Sequence, residues 1–207
     1  MTTVSLIKTI LAAALCGLAL IACSPAEKLP LLAQDAVILA YGDSITFGTG
    51  AGPGESYPEQ LGRLTGRRVV NAGVPGEVTA AGLARLPEVL EREQPALMIL
   101  CHGGNDLLGR LDQKQAGGNL AAMVRLARER GVAVVLVAVP APDMSLSPPA
   151  FYADVAREAG IPLEAKALPR ILGKGSLKAD YIHPNGAGYR QLAEALAALL
   201  KKRGALK

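Results

Sequence analysis

Four short polar stretches in this 207-residue chain hold residue types that could carry out acyl transfer. Hydrolysis of an ester needs a nucleophile, a base, and hydrogen-bond donors for the oxyanion that forms on the carbonyl oxygen. Each stretch also suits an ordinary turn, so none is decisive alone. The stretches are Gly-Asp-Ser ending at Ser44, Asn-Ala-Gly ending at Gly73, His-Gly-Gly-Asn-Asp starting at His102, and Asp180 to Asn185.

Ser44, His183 and Asp180 together could form a nucleophile, a base and an orienting acid. Ser44 would attack the carbonyl carbon, and His183 would take its proton and later return one to the leaving alcohol. Asp180 lies three residues before His183, close enough in a tight turn to accept a hydrogen bond from the other ring nitrogen. A purely structural interpretation remains the alternative for each residue: Ser44 as a turn residue, His183 as a loop histidine and Asp180 as an Asx-turn residue.

The elements that must position these side chains can be read from hydrophobic patterning. Unbroken apolar runs at 36–40, 68–70, 96–101 and 132–139 predict strands buried on both faces. Helical patterns lie between and after them, at 79–93, 119–130 and 189–203. The alternation predicts an α/β fold, a three-layer α/β/α sandwich with a mostly parallel central sheet. In such sheets, sites form at the carboxyl ends of the strands, where the polar stretches fall.

Together the four stretches resemble the GDSL, or SGNH, family of serine hydrolases, from Val37 to about Leu200. The family residues would be Ser44, Gly73, Asn105 and His183. The resemblance implies a flavodoxin-like fold and a serine esterase that works without metal or cofactor. It also implies an oxyanion hole made by the Ser44 N–H, the Gly73 N–H and the Asn105 side chain, with a simple turn glycine as the alternative for Gly73. Family substrates range over short acyl and aryl esters, lysophospholipids, thioesters and O-acetylated sugars.

Several neighbours of these residues are assigned supporting roles. Asp43 and Asp106 are expected to brace loops through hydrogen bonds, and Gly104 to support the Gly-Gly-Asn turn. Cys101 is expected in the core. His102 departs from the family pattern, which has an apolar or small residue there. It could be a rival base, a substrate contact or a structural group, and the last two are favoured.

The N-terminus predicts export and lipidation. Lys8 precedes an apolar run that is too short for a comfortable membrane span, and the run ends in Leu-Ile-Ala-Cys23, which resembles a bacterial lipobox. The predicted organisation is a lipoprotein signal at 1–22, a tether at 23–34 that begins with lipidated Cys23, and the hydrolase domain at 35–207. An ordinary signal peptide or a simple N-terminal anchor is the alternative. The protein would be anchored to a membrane of the bacterial cell envelope, facing the periplasm or in the outer membrane of a Gram-negative organism.

Composition argues against other classes of partner. With only two histidines and no Cys-x-x-Cys pair, a zinc site of the usual type is not expected. Aromatic residues make up 3% of the chain and basic residues form no stripe, which disfavours nucleic-acid binding. The expected partner is a small-molecule or lipid ester. Two alternatives remain: a carbohydrate or peptidoglycan O-acetylesterase, slightly disfavoured because few aromatics could stack on sugars, and a non-catalytic envelope lipoprotein that retains the fold.

Overall fold

Five parallel strands form the central sheet of the computed structural model, which describes residues 28–207. Their order across the sheet is β2-β1-β3-β4-β5, and every adjacent pair is parallel. The prediction of a parallel sheet is therefore confirmed. The strands are β1 (Val37–Gly42), β2 (Arg68–Gly73), β3 (Leu97–Cys101), β4 (Ala133–Val137) and the two-residue β5 (Leu163–Glu164).

Helices cover both faces of the sheet. On one face α2 packs against α8 and α8 against α7, while on the other α5 packs against both α3 and α6. The three-layer α/β/α arrangement is thus confirmed. The helices are α1 (Ser44–Phe47), α2 (Tyr57–Thr65), α3 (Thr79–Glu93), α4 (Gly104–Leu108), α5 (Gln113–Glu129), α6 (Ala150–Ala159), α7 (Ala167–Leu172) and α8 (Gly186–Lys202), with a 3₁₀ turn at Gly175–Leu177.

The strand order places a crevice beside the carboxyl end of β1. The chain leaves β1 toward β2 on one side, and then crosses back over β1 to reach β3 on the other. The connections that leave β1 and β3 therefore run in opposite directions across the sheet. Parallel α/β sheets bind ligands in the crevice that opens between two such connections. Ser44 follows β1 and Asn105 follows β3, so both lie at this point.

The core is made by the three central strands. Their residues 38–41, 97–101 and 134–137 are almost completely buried because helices cover both faces. β1 runs to Gly42, beyond the predicted end at 40, since Tyr41 pairs with Leu100 and Ala72. Helix α3 has the predicted bounds and continues through Pro87.

Helix α2 was not predicted, although its start is encoded locally. The Ser56 side chain accepts from the Glu59 N–H, and the Glu59 carboxylate accepts from the Ser56 N–H. This reciprocal capping box, with Pro58 in the first turn, is a sequence-level signal for a helix start.

The segment before the sheet packs on the domain. Leu29 and Leu32 are buried, and their N–H groups donate to the carbonyls of Arg203 and Ala205. Residues 28–34, predicted as part of a tether, therefore belong to the packed structure. The predicted signal at 1–22 and Cys23 lie outside the described residues. Within residues 28–207, no helix is both long and apolar enough to cross a bilayer.

Candidate active site

Ser44 is held at a tight junction between β1 and α1. A Cβ on Gly42 would lie 1.8 Å from the Cys101 carbonyl oxygen, so the close approach of β3 requires glycine there. Asp43 then caps α1, because its Oδ1 accepts from the Ile45 N–H at 3.1 Å. Ser44 follows as the first residue of the helix, at the carboxyl end of the sheet.

The structure brings Ser44, His183 and Asp180 into one hydrogen-bonded chain. His183 Nε2 lies 2.9 Å from Ser44 Oγ, although the two residues are 139 positions apart. His183 Nδ1 lies 2.8 Å from Asp180 Oδ2. An ionised carboxylate only accepts hydrogen bonds, so it favours the tautomer with the proton on Nδ1. That tautomer leaves Nε2 free to accept the Ser44 proton.

Asp180 also shapes the loop that carries His183. Its Oδ1 accepts from the N–H groups of Ile182 and His183, at 2.9 and 2.8 Å. The geometry of Asp180 thus agrees with both hypotheses, a residue of an Asx turn and an acid that orients His183. Partial desolvation alone would raise the pKa of Asp180, but the hydrogen bonds from the His183 ring and from the two backbone N–H groups outweigh it and lower that pKa.

Asn185 fixes the other end of this loop, a role that the sequence reasoning missed. Its Oδ1 accepts from the Gly188 N–H at 3.0 Å and caps α8. Its Nδ2 donates to the Ser176 carbonyl at 3.0 Å, which ties the loop to the preceding 3₁₀ turn. Asn185 directly precedes Gly186, where α8 begins, but the apolar pattern predicted this helix only from 189, so the N-cap was not recognised.

Gly73 cannot fill the oxyanion-binding role predicted for it. Its N–H donates to Asn71 Oδ1 at 3.0 Å and is therefore occupied. A Cβ at Gly73 would lie 2.1 Å from the Phe47 backbone nitrogen, so glycine is needed there for α1 to pack against β2. The prediction for Gly73 was wrong because a local side chain uses its N–H.

The loop that reaches Asn105 carries a different glycine, Gly76. Val74 to Glu77 form a turn closed by the Glu77 N–H and the Val74 carbonyl at 3.2 Å, with Gly76 at φ 79°. Asn105 Nδ2 donates to the Glu77 carbonyl at 3.0 Å. Among residues 28–207, no group accepts a hydrogen bond from the Gly76 N–H. This N–H is thus unoccupied, in the loop whose Glu77 carbonyl binds Asn105.

The sequence pattern of the GDSL-like Lipase/Acylhydrolase family matches residues 40–191, which include Ser44, Asn105 and His183. The chain belongs to this family. Esterase TesA of Pseudomonas aeruginosa is 36% identical over 188 residues, covering 84% of this chain and 93% of that protein. An arylesterase of Vibrio mimicus is 27% identical over 179 residues, covering 80% of this chain and 88% of its own length. A crystal structure of TesA matches with a TM-score of 0.72 and 32% identity, covering 81% of this chain and 99% of that one. The prediction of a GDSL/SGNH ester hydrolase is confirmed at the level of the family.

His102, the departure from the GDSL-family pattern, is a buried structural group. The Gly103 N–H donates to its Nδ1 at 3.0 Å, so Nδ1 is an acceptor and Nε2 carries the proton. Nε2 then donates to the Glu77 carboxylate at 3.1 Å. Both ring nitrogens are occupied, and the side chain has no exposed surface. This geometry removes His102 as a rival base.

The two aspartates expected as braces lie under the loops of this GDSL-family site. Asp106 is buried and accepts from both the N–H and the hydroxyl of Thr79, so it caps α3. Asp43 is buried beneath Ser44, and that burial raises the pKa of its carboxyl. Gly104 packs against Asp43, since a Cβ there would lie 3.3 Å from Oδ2.

A cleft with mainly apolar walls opens beside Ser44. The space inside it that a solvent-sized group can occupy is about 40 Å³. The loop at 141–149 contributes Ala141, Pro142 and Leu146 to one wall, while Met144 of the same loop is fully exposed. The other apolar side chains at the wall are Ile45, Leu108, Val139, Pro140, Leu172, Tyr181 and Ile182.

Proposed function

We propose that this protein is a serine esterase that hydrolyses short acyl or aryl carboxylic esters through an acyl-enzyme on Ser44. The observation that carries the proposal is the continuous chain of hydrogen bonds from Ser44 Oγ through His183 to Asp180. In the first half-reaction, Ser44 Oγ bonds to the carbonyl carbon while His183 Nε2 takes its proton. The tetrahedral intermediate then expels the alcohol, which leaves with the proton from His183.

The second half-reaction returns the enzyme to its starting state. Water attacks the acyl-enzyme carbonyl while His183 Nε2 accepts one of its protons. Collapse of the second intermediate breaks the ester bond to Ser44, and Ser44 Oγ regains the proton from His183. Asp180 stays ionised throughout and stabilises the imidazolium that forms twice per turnover.

The oxyanion in both intermediates would be stabilised by three donors. These are the Ser44 N–H, the Gly76 N–H in place of Gly73, and the Asn105 side chain. Asn105 Nδ2 uses one of its two N–H bonds on the Glu77 carbonyl, so the other remains for the substrate. Donors fixed in this way cost no reorganisation when charge develops on the oxygen.

The cleft supports a small apolar acyl or aryl group. Its walls are mainly aliphatic, and Tyr181 is the one aromatic side chain among its lining residues in the described part of the chain. The names of the two curated relatives, an esterase and an arylesterase, agree with this substrate class.

A series of p-nitrophenyl esters of rising acyl length, run beside an O-acetylated glycan, tests the proposal. We expect the highest kcat/KM for short chains, and labelling of the wild type, but not of Ser44→Ala, by a fluorophosphonate probe. Preference for the acetylated glycan would favour the O-acetylesterase alternative. A wild-type protein that neither hydrolyses esters nor reacts with the probe would support the non-catalytic alternative.

We also propose that the mature protein is exported to the bacterial cell envelope and anchored through a lipid on Cys23, on the strength of the motif at the end of the apolar run. Metabolic labelling with a radioactive fatty acid should mark the wild type and leave Cys23→Ala unlabelled. Equal labelling of both proteins would exclude Cys23 as the lipidated residue.

A further inference from the structure

A cluster of polar side chains lies behind Asn105, outside the cleft: the charged Glu77 and Arg85 and the neutral His102. Arg85 makes two hydrogen bonds to the Glu77 carboxylate, at 2.8 and 2.7 Å, and His102 Nε2 donates to the same carboxylate at 3.1 Å. The Glu77 and His102 side chains are 7% and 0% exposed. Burying charged groups is costly unless their geometry is well satisfied, so the cluster needs an explanation beyond core packing.

The cluster touches the two segments that carry Gly76 and Asn105, two of the three proposed oxyanion donors. The backbone carbonyl of Glu77 accepts from Asn105 Nδ2 at 3.0 Å, and Gly76 is its chain neighbour. Arg85 also donates to the Ala72 carbonyl at 3.0 Å, near the end of β2 and just before the same loop. The carboxylate of Glu77 therefore fixes the peptide that orients the Asn105 amide.

His102 links the cluster to the second loop. It lies three residues before Asn105, and its Nδ1 accepts from the Gly103 N–H at 3.0 Å. The Tyr152 hydroxyl donates to the His102 carbonyl at 2.8 Å. The residue that departs from the family pattern is thus a bridge between the loop of Gly76 and the loop of Asn105.

The cluster has little room to shift. The Arg85 guanidinium lies 4.3 Å from the centre of the Tyr41 ring, whose hydroxyl donates to the Gly82 carbonyl at 2.6 Å. A Cβ on Gly82 would lie 2.4 Å from His102 Nε2, so α3 leaves only enough space for the ring. A change in one member is therefore transmitted to the others.

We propose that Glu77 is a positioning residue for the oxyanion-binding side of the site, with His102 and Arg85 holding its carboxylate. This inference rests on the proposed function, because Asn105 matters only if an oxyanion forms at Ser44. An interaction made in the transition state and not with the bound ester affects kcat, while KM changes little. Displacing donors by about 1 Å can cost as much as about a hundredfold in rate.

The experiment compares variants by kcat, by KM and by inhibition with phenylboronic acid, whose adduct with a serine hydroxyl mimics the tetrahedral intermediate. Glu77→Gln should lower kcat by about tenfold to a hundredfold, leave KM within about twofold, and weaken the boronate in proportion to kcat. Glu93→Gln is the matched control. Glu93 lies at the far end of α3, also has a mostly buried carboxylate and pairs with Arg68 and Arg92. We expect it to retain wild-type kcat.

A second pair of variants keeps the test valid if Glu77→Gln does not fold. His102→Gln retains a donor toward Glu77, whereas His102→Leu has similar bulk and no donor. We expect His102→Leu to lower kcat about tenfold or more, and His102→Gln to recover most of it. Equal kcat and equal boronate affinity in the two variants would overturn the proposal, as would a folded Glu77→Gln with wild-type values.

Ser44→Ala, measured in the same series, separates this proposal from the proposed function. If Ser44→Ala abolishes hydrolysis while the Glu77 and His102 variants keep wild-type kcat, the serine mechanism stands and only the positioning role is wrong. Wild-type kcat in Ser44→Ala would overturn both.

Discussion

Replacing Asp180 with asparagine should reverse the tautomer of His183. In the native site the carboxylate accepts from His183 Nδ1 at 2.8 Å, which leaves Nε2 unprotonated next to Ser44. The asparagine oxygen can still accept from the N–H groups of Ile182 and His183, so the loop should keep its shape. Its amide nitrogen would then face Nδ1 as a donor. Nδ1 would have to become the acceptor, and Nε2 would carry the proton and could not act as the base.

The size of the loss follows from the two contributions of Asp180. The same substitution in a buried Ser-His-Asp triad lowers kcat by about 10⁴, or about 5 kcal/mol in activation free energy. The Asp180 side chain is 52% exposed, so water screens its charge and the electrostatic part should be smaller. The tautomer effect does not depend on screening. We therefore expect kcat to fall by about 10²–10⁴, and KM for a p-nitrophenyl ester to change little.

Steady-state kinetics at neutral pH test this expectation, with circular dichroism as the check on folding. Asp154→Asn is a matched control, because Asp154 is also about half exposed and pairs with Arg157 three residues along its helix. Asp154→Asn should keep full activity. A folded Asp180→Asn enzyme with kcat within threefold of the wild type would refute the assigned role of Asp180 and the tautomer argument with it.

Three further predictions follow from the site. Asn105→Ala should lower kcat by about 10²–10³ with a small change in KM, because one oxyanion donor is lost; steady-state kinetics would show it. Gly73→Ala should destabilise the fold, since its Cβ would meet the Phe47 nitrogen at 2.1 Å. Gly76→Ala has open space and only the positive φ to oppose it, so it should cost about 1–2 kcal/mol; thermal unfolding of the two variants should separate them. Burial alone would raise the pKa of Glu77, but its bonds to His102 and Arg85 lower it to about 2, from 4.5. A lowered pKa stabilises the fold above the unfolded value, and this stability is lost as the pH falls from 4.5 through 2. The free energy of unfolding in urea should therefore drop more steeply between pH 5 and pH 2.5 in the wild type than in Glu77→Gln.

Much of the fold could be predicted because its signals are local. The central strands are unbroken apolar runs, a consequence of burial on both faces, and their ends mark the edge where the polar residues lie. Strand β5 was not predicted, because it consists only of Leu163 and Glu164. Both residues are partly exposed and form no apolar run. Helix α2 was not predicted although its capping box is local, because Tyr57, Leu61 and Leu64 alone mark its apolar face and Pro58 and Gly62 interrupt the short nine-residue pattern.

Site residues could be predicted where few positions in the sequence could fill a role. They could not be predicted where several positions could fill it. Ser44, His183 and Asp180 each had few rivals, and the structure brings them together. Gly73 ends β2 and Gly76 comes three residues later, and the sequence does not show which of the two N–H groups is free. That choice depends on the Asn71 side chain folding back onto Gly73. The link between His102 and Glu77 spans 25 positions and forms only when two strands bring their loops together.

The position of residue 28, where the described domain begins, determines how this enzyme could be attached to a support. Lys28, Leu29 and Pro30 line a groove with Val132 and Ala133, at the amino end of β4. Ser44 lies past the carboxyl end of β1, so the five-residue depth of the parallel sheet, about 17 Å, separates the two. A bead, electrode or carrier protein joined ahead of residue 28 would therefore sit behind the sheet. The cleft would face outward, and immobilisation through residue 28 should leave substrate diffusion to Ser44 unobstructed.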